Sequence, residues 1–283
     1  MEHLPGFGPL ASRFDGFILD LWGVIHDGVG PYPGAVECLR RLKQMGKPAM
    51  LLSNAPRRSE VALAAMRAMG IEDALHAGLL TSGEVCHRAL RERPDPWFAR
   101  LGRRVFHLGP ERDRSVLGGL DLGITHDPAG ADFVLNTGPD KQRSQTDLRA
   151  FEDVLRACVR QRLPMLCTNP DLEVIRGGRR VLCAGALAQR YQELGGEVRS
   201  IGKPDPAVYG PVLGMLALPR ERVLALGDSL RTDIAGATAA GIPACWVLGG
   251  IHGEALGNDS EAADKAARDA GLDPIATIPG FIW

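Results

Sequence analysis

Phe17-Ile18-Leu19-Asp20-Leu21-Trp22-Gly23-Val24 is the stretch on which the fold of this chain turns. Three consecutive apolar residues predict a buried strand. The strand ends on a carboxylate, and Gly23 follows three residues later in a turn. Open parallel sheets place their chemistry at the carboxyl ends of strands, where Asp20 stands. A carboxylate there can act as a nucleophile and carry a phosphoryl group. It can also hold a hard cation such as Mg²⁺. A buried strand followed by Asp and a turn is common, so the octapeptide acquires its meaning from the rest of the chain.

Working outward, residues 15–20 form the first predicted strand. Residues 34–46 predict a helix, with Val36, Leu39, Leu42 and Met45 on one face and Arg40, Arg41 and Lys43 pointing away. An apolar strand over 48–52 then runs into Ser53-Asn54-Ala55-Pro56, small polar residues able to present a hydroxyl and backbone N–H groups. Ser59 is expected to cap a helix reaching Met69 and stopping at Gly70. A short strand at 78–81 is followed by a Ser82-Gly83 turn. Strand and helix alternating at this spacing imply βαβ units and a parallel sheet.

The rhythm breaks at Arg91-Glu92-Arg93-Pro94-Asp95-Pro96. Beyond it, strands are predicted at 104–108, 131–135 and 164–168, with a helix over 148–161. Gly195-Gly196 reads as the return to the first unit. There Asp205 and Pro206 begin a helix that Pro211 should kink or delay. A strand over 223–226 ends in Gly227-Asp228-Ser229, a short helix covers 233–240, and a last strand covers 243–248. Two strands therefore end in Asp. The expected organisation is an α/β, Rossmann-like parallel-sheet core from residues 1–88 and 197–283, with an inserted α/β cap from 89–196.

Composition narrows the function class. Of the 283 residues 45% are hydrophobic and 24% charged, ordinary values for a soluble globular protein. A net charge of -1 gives no basic field for nucleic acid. No apolar run reaches the roughly 18–20 residues of a membrane span. Residues 1–13 lack the basic start and apolar core of a signal peptide. Six cysteines, none in a Cys-x-x-Cys pair, suggest a reduced, cytoplasmic protein without a zinc site.

Four separated motifs converge: Asp20-Leu21-Trp22-Gly23-Val24, Ser53-Asn54, Gly202-Lys203-Pro204, and Gly227-Asp228-Ser229-Leu230-Arg231-Thr232-Asp233. In this order they resemble the haloacid-dehalogenase superfamily of aspartate-nucleophile phosphotransferases. The size and place of the inserted unit resemble its class IIA branch of NagD-like and nitrophenyl-phosphatase-like hydrolases. Cys167-Thr168-Asn169-Pro170-Asp171 is similar to the Thr-Asn-Pro-Asp segment of that branch's cap, and Val247-Leu248-Gly249-Gly250-Ile251 to its last core strand and loop. The resemblance covers about residues 14–255.

It implies a Mg²⁺-dependent phosphatase acting on a small phosphorylated metabolite through an aspartyl phosphate on Asp20. The metal ligands it implies are Asp20, the main-chain carbonyl of Trp22 and Asp228. Asp233 is expected to orient a metal-held water or Lys203 from just outside. Lys203 supplies positive charge, and Ser53 with the Asn54 N–H bonds the phosphate oxygens. Asn169 and Asp171 are expected to meet the substrate from the cap. Binding of nucleic acid or membrane is not expected, and a homodimer is compatible with the reading. The basic run Arg176-Gly177-Gly178-Arg179-Arg180 reads as a solvated loop, although its place in the cap also suits an anionic substrate.

One position departs from the family. A second Asp usually stands two residues after the nucleophile, where it protonates the leaving group and then activates water. Here that residue is Trp22, whose indole donates a hydrogen bond but exchanges no proton at neutral pH. His26 and Asp27 in the same loop, or Asp171 from the cap, are the substitutes, and Asp27 is favoured. The alternatives are an enzyme restricted to good leaving groups, or a phospho-ligand-binding or regulatory protein with little turnover. Superfamily dehalogenases also carry an aromatic residue here, but the cap and the complete 227–233 motif argue against that activity.

Overall fold

Gly16 to Leu19 are buried on both faces, as a strand is only inside a covered sheet. The computed structural model, which describes residues 1–251, 253, 257 and 259–283, places them near its centre. Its strands among those residues, in chain order, are β1 Glu2–His3, β2 Gly16–Leu19, β3 Ala49–Ser53, β4 Gly78–Thr81, β5 Arg104–Leu108, β6 Gly123–Thr125 and β7 Phe133–Asn136. They continue as β8 Met165–Cys167, β9 Glu173–Arg176, β10 Arg179–Leu182, β11 Val198–Ser200, β12 Val223–Gly227, β13 Ala244–Val247 and β14 Ala276–Ile278.

A seven-stranded, wholly parallel sheet runs β1-β14-β13-β12-β2-β3-β4. Alternate residues feed its two faces. Phe17, Leu19 and Leu51 pack with Leu39 and Leu42. Ile18, Met50 and Leu52 pack on the other face with Val212 and Leu216. Chain order reverses between β2 and β12: one leads outward through β3 to β4, the other through β13 to β14. A crevice opens at such a reversal, beyond the carboxyl ends of the strands. Asp20 and Asp228 stand directly after the two strands that flank it.

The second sheet is also parallel, in the order β11-β8-β7-β5-β6. It has five strands where three were expected. Strands β6 and β11 are three residues long, β6 mostly exposed and β11 mostly half-buried, too short to announce themselves. Because β11 pairs with β8, this sheet extends past Gly196, where the return to the first unit was expected. Gly195, at φ 88°, ends the Ala184–Glu193 helix in the left-handed region.

The basic run 176–180 is not a loop. It is the end of β9, the turn and the start of β10 in the antiparallel β9–β10 hairpin. Gly177 and Gly178 have φ 53° and 70°, as a two-residue hairpin turn requires. Smaller departures have local causes. Thr81 accepts the Glu84 N–H and starts a helix at Ser82, so no Ser82-Gly83 turn forms. Ser59 is the first helical residue, not its cap. Pro211 falls in the first turn of the Tyr209–Leu216 helix, where its missing N–H costs nothing, and a 3₁₀ turn at Pro206–Val208 precedes it. The carboxyl terminus docks: the Phe281 ring lies edge-on to Phe7 at 4.9 Å. All six cysteines are free and buried. Among the described residues no helix is long and apolar enough to cross a membrane.

Candidate active site

Lys203 is the buried hub of the crevice. Its Nζ donates to Asp20 Oδ1 at 2.6 Å, to Asp233 Oδ1 at 2.6 Å and to the Leu52 carbonyl at 3.0 Å. All three ammonium protons are therefore in use. Burial works against the charge, but the Asp20 and Asp233 carboxylates outweigh it and hold the Lys203 pKa well above the ordinary value. The other oxygen of Asp233 accepts the Ser229 N–H at 3.1 Å. That contact is built by an i→i+5 turn over Leu230–Ile234, which replaces the simple helix start expected there.

Asp20, Asp228 and Asp233 bring carboxylate oxygens within 4.8 Å of one another, all three buried. Burial, opposed by Lys203 and helped by the Asp233 charge, pushes the Asp20 carboxyl up to about 7. Burial and then the charges of Asp233 and Asp20 push Asp228 well above the carboxylate range. One ammonium does not balance three acids. An all-oxygen, negatively overcharged pocket is the donor set that a hard divalent cation fits.

Asp228 also has a cradle. Its Oδ2 accepts the Ile251 N–H at 2.7 Å. A Cβ at Gly23, where φ is +78°, would fall 1.9 Å from that oxygen, and one at Gly250 would fall 2.1 Å from it. Gly250→Ala is expected to displace the carboxylate and weaken Mg²⁺ binding by about 10- to 100-fold in calorimetry, the usual scale for disturbing a ligand's support. Unchanged affinity would remove Asp228 from the metal site.

The Asn54 side chain is a fastener. Its oxygen accepts the Lys203 N–H at 2.8 Å and the Ser82 hydroxyl at 3.2 Å. Its nitrogen donates to the Lys203 carbonyl at 3.1 Å and to Asp171 Oδ1 at 3.0 Å. Ser53 is buried beside it, with Oγ accepting the Ala55 N–H at 3.2 Å. Asp171 thus reaches from the second unit onto the loop after β3. Asn169 shapes that reach by accepting the Asp171 N–H at 2.9 Å. Arg231 anchors it by donating to the Pro170 carbonyl. Burial, partly offset by Lys203 and the Asn54 bond, raises the Asp171 pKa. Its second oxygen has no hydrogen-bond partner among the described residues.

Asp27, the favoured substitute for the missing acid, is bonded within its own loop. Its Oδ1 accepts the N–H groups of Val29 and Gly30 at 2.9 and 3.0 Å, closing a turn. Burial would raise its pKa, but these bonds outweigh it and hold the carboxyl below its usual value. Asp27 lines none of the cavities that Asp20 lines. His26 is no better placed. Burial pushes it down to about 4, and its Nδ1 accepts the Gly28 N–H at 3.1 Å. The Trp22 ring stands edge-on to His26 at 5.3 Å.

Two cavities meet at Asp20, Trp22, Asp171 and Val174. The larger, about 600 Å³, runs past Asp228 and is walled mainly by apolar side chains such as Leu172, Ile175, Leu230 and Leu272. The smaller, about 80 Å³, runs past Ser53 and Asn54 toward Arg57, Arg112 and Arg176. Sequence reasoning placed Ser82 in a turn and left Arg57 and Asp113 unnoticed. Asp113 had no legible signal, since its partner is 56 residues away in the other unit, at 3.3 Å.

The comparisons agree with this geometry. The sequence profile of haloacid dehalogenase-like hydrolases matches residues 17–123, and that of HAD-hydrolase-like proteins matches 200–276. Human chronophin is 31% identical over 247 residues, 85% of this chain and 83% of its own. The ribonucleotide monophosphatase NagD of Escherichia coli K12 is 28% identical over 238 residues, 83% of this chain and 87% of its own. A haloacid dehalogenase-like hydrolase from Brucella suis has a crystal structure matching the whole of both chains, with TM-score 0.83 and 30% identity. The p-nitrophenyl phosphatase of Archaeoglobus fulgidus matches 95% of this chain and 97% of its own, with TM-score 0.70 and 27% identity. This chain belongs to the haloacid dehalogenase-like hydrolase family, in its class IIA branch.

Proposed function

We propose that this protein is a Mg²⁺-dependent phosphatase of small phosphate monoesters, with Asp20 as nucleophile. The observation that carries the reading is the buried Lys203 ammonium held between Asp20 and Asp233 beside Asp228. A phosphate dianion repels a carboxylate, and Lys203 lowers that barrier at the nucleophile itself. Asp20 and Asp228, with the main-chain carbonyl of Trp22, would hold the metal. Bound there, it would neutralise charge on the ester and polarise it toward attack. Asp233 stays outside that set and fixes Lys203. Ser53 Oγ and the Asn54 N–H would hold the phosphoryl oxygens in line with Asp20.

In the first step Asp20 forms a bond to phosphorus while the bond to the ester oxygen breaks. Asp171 gives its proton to that oxygen and then, as a carboxylate, takes one from the water that hydrolyses the aspartyl phosphate. The β2–β12 sheet is the core in this reading, and the second sheet with its hairpin is the cap that closes over Asp20. The cap's chain runs from about residue 89 to Ser200. Expression in the cytoplasm fits the reduced cysteines.

The test is turnover of p-nitrophenyl phosphate with Mg²⁺ and after chelation. Release that requires the metal is the expected result. A second reading, a phospho-ligand-binding protein with little turnover, is favoured by Trp22 alone. Tight binding of phosphate esters with no release under any metal would establish it.

A further inference from the structure

Arg57, Arg112 and Arg176 come from three distant parts of the chain. They lie in the loop after β3, in the 3₁₀ segment Glu111–Leu117, and at the end of β9. All three line the smaller cavity, whose inner end is Asp20, Ser53 and Asn54. One carboxylate faces them: Asp113 Oδ1 lies 3.3 Å from Arg57 Nε and 3.5 Å from Arg112 Nε. A clamp between two units needs one guanidinium per carboxylate. Here three guanidinium groups stand against one carboxylate, and Arg176 makes no ion pair among the described residues.

The existing contacts leave capacity unused. Arg57 Nε and Asp113 Oδ1 are buried, and neither has a hydrogen-bond partner, so their ion pair is poorly aligned. An unmade hydrogen bond on a buried charged group is expensive and persists where something else satisfies it. Burial, with the like charges of Arg112 and Arg176, also holds the Arg57 pKa below its ordinary value. An anion among the three would offset their like charges and give the Arg57 guanidinium an acceptor; Asp113 Oδ1, itself an acceptor, gains nothing from it. Planar guanidinium groups lining one small cavity suit a carboxylate or phosphate.

We infer that Arg57, Arg112 and Arg176 bind a second anionic group of the substrate, a carboxylate or a second phosphate, while its ester phosphate lies on Asp20. The inference rests on the phosphatase reading of the same site. The cavity is about 80 Å³, so the substrate it selects is compact, with only a short chain between its two anionic ends. The larger cavity does not offer this. Its arginines, Arg180 and Arg231, are engaged by Glu173 and by the Pro170 carbonyl.

Matched esters test it. For a carboxylate the pair is 3-phosphoglycerate against glycerol 3-phosphate. For a second phosphate it is propane-1,3-diyl bisphosphate against 3-hydroxypropyl phosphate. In at least one pair the wild type should prefer the dianionic-ended member by at least about tenfold in kcat/KM, the scale of a charge-assisted contact. Arg112→Gln and Arg176→Gln should each lower that ratio several-fold, and Arg176→Lys should restore part of it. Arg149→Gln, on the outer surface, should leave the ratio where it was.

A wild-type ratio near one in both pairs would overturn the inference. So would arginine variants that slow both members of a pair equally, since the arginines would then serve the transferred phosphate. Calorimetry on Asp20→Asn with the same pairs separates the two readings. A preference in binding without any turnover in the wild type sinks the phosphatase and keeps the anion site. Turnover with equal affinities does the reverse.

Discussion

Asp20→Asn is expected to lower turnover of p-nitrophenyl phosphate by about 10⁴-fold or more, the scale of losing a covalent nucleophile. The protein should still fold. An amide fits the same space, and its oxygen can still accept from Lys203, which keeps Asp233 and the Leu52 carbonyl as partners. Mg²⁺ affinity should fall much less than turnover, because Asp228 and the Trp22 carbonyl remain. Asp228→Asn should show the opposite balance, with a large loss of Mg²⁺ affinity and activity partly recovered at high metal. Calorimetry and steady-state kinetics on both variants separate the roles. Asp20→Asn retaining activity within tenfold of wild type would leave Asp20 as a metal ligand only.

The same carboxyl sets a pH dependence. Burial pushes Asp20 up to about 7, so metal-free protein holds a proton there below that pH. Mg²⁺ takes the charged form, and metal and proton therefore compete. The sign is fixed: a raised pKa means affinity falls as pH drops through 7. Asp228, also raised, acts in the same direction. Calorimetry at about pH 6 and about pH 8 should show tighter binding and proton release that shrinks at the higher pH. Equal affinity at both would mean that Lys203 already keeps both acids ionised.

The sheet and the core side of the site were legible in sequence because both depend on local patterns. Residues 17–19, 49–52 and 223–226 are apolar runs of strand length, and each is followed by small polar or acidic residues that mark the strand end. What the sequence hid is contact between distant segments. Asn54 touches Lys203 and Asp171 across 149 and 117 residues, and neither pairing leaves a periodic trace. Asp27 misled because Asp-Gly-Val-Gly admits two readings, a free acid or an Asp that caps its own turn. Backbone N–H groups two and three residues on decided for the turn. The Gly177-Gly178 hairpin could have been read, since two glycines between Val-Ile-Arg and Arg-Arg-Val-Leu are a strong turn signal. Its arginines drew attention to charge and away from geometry.

Asp171→Asn is expected to slow phosphorylation of Asp20 by an alkyl phosphate by about 10²–10⁴-fold and by p-nitrophenyl phosphate, read as the nitrophenol burst, by less than about tenfold; the later hydrolysis of the aspartyl phosphate, common to both esters, should slow equally. The asymmetry follows from the leaving groups. Nitrophenolate departs as an anion, whereas an alkoxide must be protonated as its bond to phosphorus breaks. The residue that usually does this is Trp22 here, and its indole holds its proton. The two loop candidates are occupied: Asp27 is an ionised turn carboxylate, and His26 is neutral well below pH 7 with its Nδ1 bonded to Gly28. Asp171 alone of the three lines both cavities with Asp20 and has a pKa raised by burial. A raised carboxyl acts as an acid while protonated, so alkyl-ester activity should fall as pH rises through its pKa. That limb should vanish in Asp171→Asn. The amide can still accept the Asn54 N–H, so a purely structural role would leave the alkyl-to-aryl ratio unmoved. Asp27→Asn and His26→Gln should not change the ratio by more than about twofold. If Asp171→Asn slows the phosphorylation step equally for both esters, Asp171 gives no proton to the leaving group. If wild type fails on every alkyl phosphate and turns over the aryl ester, the chain has no proton donor, and Trp22 marks an enzyme for leaving groups that need none.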